Sequence, residues 1–353
     1  MIPRPPADSQ SPIAQRKTIP IPEGCHPQSI ILSFPVAREQ AGQRLDRFIQ
    51  GRIPRLSRTR ANAIVRACAY REDGTKRMPS DRVRYGETVY IIRPPFEEPI
   101  APREFTVLYE DEDVLAVDKP PGLPVHPSAT YHKNTLSHLL RERYGENPPQ
   151  IAHRLDKETS GIVVCGKHAE AERRLKRAFE DRKTSKTYLA VVRGHLAPDQ
   201  GIIDLPLGRA ESGLHLLMEP RPLDDGGSPA TTEYRVLDRA RALSLVELKP
   251  VTGRQHQLRV HLAALSHPIV GDKLYGPEGP APFYEHIETG MTPELERRLG
   301  LARHALHAHR LVVPHPRTGE PLELVAPLPE DMESLWMRGL PEDAPDELLE
   351  DVS

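Results

Sequence analysis

Cysteine is scarce in this sequence: Cys25, Cys68 and Cys165 are the only three, odd in number and widely spaced. They form neither a disulfide framework nor a zinc-binding pattern, which fits a reducing compartment. Aromatic side chains make up 5% of the chain. No apolar run approaches the roughly 18 residues that a membrane-spanning helix needs, so no membrane partner is expected. The opening Met1-Ile2-Pro3-Arg4-Pro5-Pro6 lacks the apolar core of a secretory signal, and a cytoplasmic location is expected. What is present fits a globular protein of more than one domain: 353 residues, 38% hydrophobic and 28% charged. The 38 prolines point to extended termini and many turns.

The net charge of −2 conceals a strong asymmetry. Residues 36–93 carry fourteen Lys and Arg against six Asp and Glu, whereas residues 330–353 carry nine acidic side chains and one Arg. A compact basic module on a nearly neutral body suggests a polyanionic partner, nucleic acid first, although a solvated basic face would give the same count.

Pattern divides the chain into a disordered tail (1–33), a small basic domain (34–95), a linker (96–104), a large domain (105–335) and an acidic tail (336–353). In the small domain, Leu45, Phe48 and Ile49 take helical spacing. Ala61, Ile64 and Val65 do so in a second helix that Ser57 or Thr59 would cap. Val83 and Tyr85, then Val89 and Ile91, alternate around Gly86 as a hairpin would. In the large domain, strands are predicted at 113–118, 161–165, 187–193, 243–249, 311–313 and 322–325. Helices are predicted at 135–144, 169–182 and 254–265. Strands outnumber helices, which predicts an α+β fold around a central mixed, mainly antiparallel sheet with flanking helices.

The segment His153-Arg154-Leu155-Asp156-Lys157-Glu158-Thr159-Ser160-Gly161 is crowded with ionisable groups and runs straight into the apolar Ile162-Val163-Val164. Loops that end on core strands hold side chains rigidly. Asp156 is a candidate nucleophile or base, with Arg154 and Lys157 beside it. A loop fastened by a salt bridge is the other reading of the same residues.

His-Arg-Leu-Asp followed by Thr-Ser-Gly resembles the signature loop of RluA-type pseudouridine synthases. Further motifs follow in that family's order. They are Asp118-Lys-Pro-Pro-Gly-Leu-Pro-Val-His126, Lys186-Thr-Tyr-Leu-Ala190, Thr252-Gly-Arg-Gln-His-Gln-Leu-Arg-Val-His-Leu262, Gly271-Asp-Lys-Leu-Tyr-Gly276 and Leu306-His-Ala308. The likeness covers roughly residues 105 to 330. Arg44-Leu45-Asp46-Arg47-Phe48 and Ser57-Arg58-Thr59-Arg60 resemble the small α/β RNA-binding domain, shared with a ribosomal protein, that often precedes such catalytic domains. The Gly-x-Val-x-Val-Asn-Gly stretch usual there is absent, and Cys68-Ala-Tyr-Arg-Glu-Asp-Gly74 stands in its place.

The resemblance implies an isomerase that converts uridine in RNA, ribosomal RNA first or else transfer RNA, to pseudouridine without a cofactor. Asp156 would attack the ribose anomeric carbon or remove a neighbouring ribose proton. Either way the uracil detaches, rotates and rejoins through carbon 5. Tyr188 would pack on the flipped base and help remove the carbon 5 proton, and Arg259 would pair with Asp156 and hold it ionised. Arg154 would fill the gap left in the RNA stack, with His153, Arg254 and His256 also placed toward the flipped nucleotide. Arg44, Arg47, Arg55, Arg58 and Arg60 would be the basic module's RNA contacts. A monomer is expected.

His304, His307, His309 and His315 cluster in sequence, but their spacing matches no standard zinc site and no metal is expected. Gly226-Gly227-Ser228 reads as a hairpin rather than a phosphate loop. Residues 277–303 receive no role. Two rival functions remain: a non-catalytic RNA-binding protein on the same fold, and a glycoside hydrolase using Asp156 and Glu158 as its carboxylate pair.

Overall fold

A computed structural model describes residues 19–27, 29–53, 56–94, 98–128, 130–211 and 216–340. The chain divides into two compact units, Met1–Glu97 and Glu98–Ser353.

The small unit runs β1 (Ile30–Pro35), α1 (Leu45–Arg52), α2 (Arg58–Cys68), β2 (Ala69–Tyr70) and β3 (Thr88–Arg93). Its antiparallel sheet has the order β1-β3-β2. Leu45, Phe48, Ile49 and Val65 bury one face of each helix against Val89 and Ile91. Ser57 caps α2 by accepting from the Arg60 N–H at 3.2 Å. Two expectations are corrected here. Residues 30–33, read as tail, are the first four residues of β1, and Ile19 packs with Tyr90 and Ile92. The hairpin about Gly86 does not form. Strand β3 is buried at its four central residues and lies between β1 and β2, so its partners come from both ends of the unit rather than from the adjacent Val83–Tyr85. Residues 1–18 and Arg55 lie outside the described residues.

The large unit runs β4 (Thr106–Glu110), β5 (Val114–Lys119), α3 (Leu136–Tyr144), β6 (Gln150–Ile151), β7 (Ser160–Gly166), α4 (Ala169–Glu180), β8 (Ser185–Arg193), β9 (Gln200–Asp204), β10 (Leu207–Arg209), β11 (Met218–Pro220), β12 (Thr231–Ala240), β13 (Leu243–Pro250), α5 (Gln257–Ala264), α6 (Ala281–Thr289), α7 (Pro293–Leu299), β14 (Leu306–Pro314), β15 (Pro321–Val325) and α8 (Glu330–Arg338). The main sheet has the order β4-β5-β7-β14-β8-β13-β12-β9, with β15 on β14 and β6 on β7. It is the mixed, mainly antiparallel sheet the sequence predicts, and β7–β14 is its parallel pairing.

The continuous apolar runs of β5 and β7 are buried on both faces. Leu115, Val117 and Val163 meet Leu136, Leu139 and Leu140 of α3 on one side. Val114, Ile162 and Val164 meet Leu175 and Ala178 of α4 on the other. In the second half, β8 and β13 pack with Leu258 and Leu262 of α5 and with Met332 and Leu335 of α8.

The domain edges differ from the sequence reading for physical reasons. Residues 98–104 are fastened rather than free: the Glu98 carboxylate accepts the N–H groups of Lys133 and Asn134 at 2.8 Å each, and Ala101 is buried. The acidic tail begins later than 336, because Trp336 packs against the core from within α8.

Candidate active site

The catalytic-loop candidates sit where the two halves of the sheet meet. The loop from β6 enters β7 at Ser160 and Gly161, which pair with His307 and Ala308 of β14. Gly161 is required there: its φ is +110°, and a Cβ would lie 2.3 Å from the Ala308 carbonyl oxygen. Thr159 and Ser160 are held by histidines from the strand entry, Thr159 Oγ1 to His304 Nε2 at 2.8 Å and Ser160 Oγ to His307 Nδ1 at 2.9 Å. On the other flank, buried Lys119 donates to the carbonyls of Pro120, Leu123 and Lys157 at 2.9, 2.9 and 3.1 Å. Gly122 N–H donates to the same Lys157 oxygen at 2.8 Å. Burial, then the Arg303 cation, pulls the Lys119 ammonium down to about 7.

Arg259 lies on α5 and is almost fully buried. Its Nη1 donates to Asp156 Oδ2 at 3.3 Å, while Nε and Nη2 grip Asp272 at 2.7 and 2.8 Å. Asp272 also accepts the N–H groups of Leu274 and Tyr275. Burial works against the charge on both partners of that bidentate pair, yet Asp272 raises Arg259 well above its usual value and Arg259 holds Asp272 well below the usual carboxylate range. The Tyr275 ring lies 5.0 Å from the Arg259 guanidinium carbon, and its hydroxyl meets His256 Nδ1 at 2.7 Å.

His256 has a left-handed φ of +54° at the N-terminus of α5, a strained backbone for a residue with a side chain. The helix was predicted from Arg254. It begins at Gln257 because the Gln257 side chain folds back, its Oε1 accepting from Arg254 N at 3.0 Å and from the Thr252 hydroxyl at 2.8 Å. His256 Nε2 lies 3.8 Å from Asp156 Oδ2. Burial, then the Arg259 cation, pulls this imidazole down to about 4, so at neutral pH it faces Asp156 uncharged.

A cavity of about 800 Å³ opens beside Asp156, lined by Arg154, Tyr188, Arg254, His256 and Arg259 among others. Tyr188, from β8, is half-buried. Burial and then the Asp156 carboxylate push its phenol above its usual value of 10. Arg154 is exposed on the rim, and Arg254 Nε donates to the Pro229 carbonyl at 3.1 Å.

His153 borders the cavity, its Nε2 accepting the Val164 N–H at 3.1 Å and its ring stacking on Phe179 at 4.5 Å. Burial pulls it down to about 3. At neutral pH it borders the cavity as an uncharged ring.

In the small unit, Arg47, Arg58 and Arg60 are exposed, whereas Arg44 is engaged by Asp46 at 3.2 and 3.0 Å.

The sequence reading gave Asp272, Tyr275 and Lys119 no role, although each stands in a quoted motif. A charged residue set between glycines or prolines beside apolar strands was the signal available. Glu158 is not free to oppose Asp156 as a second acid. Lys273 Nζ donates to its Oε1 at 2.9 Å, and the His304 N–H to its Oε2 at 3.3 Å. His304, His307, His309 and His315 do not converge on one point: His309 binds the Ala326 carbonyl and His315 binds Asp111. Asp111, Asp113 and His315 do come together, but Tyr109 and Arg317 already occupy the two carboxylates. Among the described residues, no helix is long and apolar enough to cross a membrane.

Comparison with known proteins gives the same reading as this geometry. Residues 113–264 match the family model for RNA pseudouridylate synthase. The chain is 36% identical to ribosomal large subunit pseudouridine synthase D of Yersinia pestis, over 87% of this chain and 94% of that one. It is 39% identical to the protein of the same name from Xanthomonas campestris, over 86% and 91%. Among solved structures, human RNA pseudouridylate synthase domain containing 4 superposes with a TM-score of 0.52 at 30% identity, covering 65% of this chain and 92% of the other. A matched family model and relatives alike over nearly their whole length carry one conclusion: the chain belongs to the RluA-type RNA pseudouridine synthase family and is an isomerase of uridine in RNA.

Proposed function

We propose that this enzyme isomerises specific uridines of large-subunit ribosomal RNA, with Asp156 as the group that acts on the ribose. The observation that carries the site assignment is the arrangement around Asp156. A carboxylate at the edge of an open cavity is gripped from behind by a buried arginine that a second, fully buried carboxylate fixes in place. The names of the relatives favour ribosomal RNA over transfer RNA.

Uridine inside a folded RNA must leave its stack before a side chain reaches the ribose, at a cost of a few kcal/mol. Tyr188 offers the uracil a flat face beside Asp156. Tyr188 also helps remove the carbon 5 proton. Arg154, exposed on the rim, takes the place vacated in the RNA stack. Arg254 contributes charge at the same opening, and His256 offers a neutral donor or acceptor.

The small unit binds RNA through Arg47, Arg58 and Arg60, with Arg44 turned to Asp46 instead. Action as a monomer, in the cytoplasm where ribosomal RNA is modified, belongs to the same reading.

Release of tritium from carbon 5-labelled uridine in total cellular RNA tests the reaction, and mapping pseudouridines with and without the gene identifies the target. Asp156→Asn should abolish release while RNA affinity stays nearly unchanged. Retained turnover in that variant would refute the assignment of Asp156.

A further inference from the structure

A second cavity, of about 530 Å³, lies on the other side of the catalytic loop and shares Arg154, Asp156, His256 and Arg259 with the first. Its far wall is made by Lys273, Leu274, Phe283 and His286, all beyond the segment matched by the family model, which ends at residue 264. Phe283 and His286 stand three residues apart on α6 and both line this cavity. Glu285 of the same helix is held by Arg298 of α7 at 3.0 Å, so the wall is fastened.

The two acids bordering the cavity are already paired, Asp156 with Arg259 and Glu158 with Lys273. Its remaining cations are not. Arg154 is exposed on the shared ridge, and Lys157 Nζ sits 5.4 Å over the Tyr131 ring and 3.5 Å from its hydroxyl. Among the described residues, no carboxylate pairs with either cation. The space thus combines unmatched positive charge with two aromatic side chains, Tyr131 and Phe283, within reach of Asp156. Single-stranded nucleotides are recognised by that combination, with a phosphate on cations and a base against a ring. The volume suits one nucleotide.

We propose that the second cavity receives an unpaired nucleotide adjacent to the target uridine, its base against Phe283 and its phosphate on Lys157. This rests on the reading of the chain as a uridine isomerase of RNA and adds a place where the neighbouring sequence is selected. Arg154, bordering both cavities, separates the two nucleotides.

The test compares pseudouridine formation by the full chain on a transcript of large-subunit ribosomal RNA. Loss of one base–aromatic stack in Phe283→Ala should raise KM about five- to a hundredfold, with kcat within about twofold, and Phe283→Tyr should restore it. Lys157→Met should flatten the salt dependence of binding by close to one phosphate's share, a slope change of about 0.7–0.9. A 4-thiouridine placed next to the target should cross-link to α6. An unchanged KM in Phe283→Ala, an effect on kcat alone, or a lowered melting midpoint with KM intact would each overturn the proposal and leave Phe283 as a structural wall. If Phe283→Ala does not fold, Phe283→Leu removes the ring and keeps the apolar volume, with the same readings. Wild-type chain without turnover on any cellular RNA would overturn the isomerase reading instead, which keeps the two failures distinct.

Discussion

Asp272 touches no cavity wall beside Asp156, yet Arg259 is held in place largely through it. Both of its carboxylate oxygens are used by the guanidinium, and Oδ1 takes two backbone N–H groups as well. Asp272→Asn keeps the shape and removes the charge, leaving a buried guanidinium with Asp156 as the one carboxylate paired to it. Breaking a buried pair this way costs about 3–5 kcal/mol. We expect a lower urea midpoint together with a loss of turnover. A variant as stable and active as the parent would show that Arg259 does not depend on Asp272. Both residues stood in quoted motifs, but their partnership was not legible. They are thirteen positions apart, and only the turn after α5 brings them together.

At the scale of elements, the parallel pairing of β7 with β14 positions the catalytic loop, and it depends on a residue without a side chain. In Gly161→Ala the new Cβ would meet the Ala308 backbone at 2.3 Å with φ at +110°. The strands would have to part, costing about 1–3 kcal/mol for overpacking and a similar amount for the strained backbone. Thermal melting should show the loss, and turnover should fall further because Asp156 leaves its place beside Arg259. Two of the histidines that raised a metal question act at this junction. His304 and His307 bond Thr159 and Ser160, so they fasten the loop. Their spacing gave no hint of this, since a strand's bonding partner is chosen by tertiary pairing. For the same reason β3 found β1 and β2 rather than the predicted hairpin partner.

For the molecule as a whole, charge and pH give two further expectations. Replacing Arg47, Arg58 and Arg60 together by Ala should weaken RNA binding and reduce the slope of log K against log salt by up to about three phosphate contacts' share, about 0.7–0.9 each. Arg44→Ala should change the slope less, because Asp46 already occupies that guanidinium. Equal slopes in the triple variant and the parent would count against the basic module as an RNA contact. The buried imidazoles give the pH dependence. Burial lowers His307 to about 4 and His153 to about 3, from 6.5. Below 6.5 the unfolded chain binds more protons than the folded one, so their contribution to stability is full above about 6.5 and is lost progressively toward those folded values. Urea midpoints should fall between pH 7 and pH 5. Midpoints constant over that range would mean that these rings are not buried as neutral groups.

The sequence by itself determined the main run of strands and helices, a cap for α2 at Ser57 or Thr59, and the charge asymmetry between the small unit and the acidic end. These follow from side chains a few positions apart. It also marked Asp156, Tyr188 and Arg259, because their motifs come in a recognisable order. Only the tertiary structure decided that Arg259 answers to two carboxylates and that α6 walls a second cavity beside Asp156. Each of these depends on distances between residues far apart in the chain. Periodicity cannot encode such distances, because it records which face a residue takes and not what that face meets.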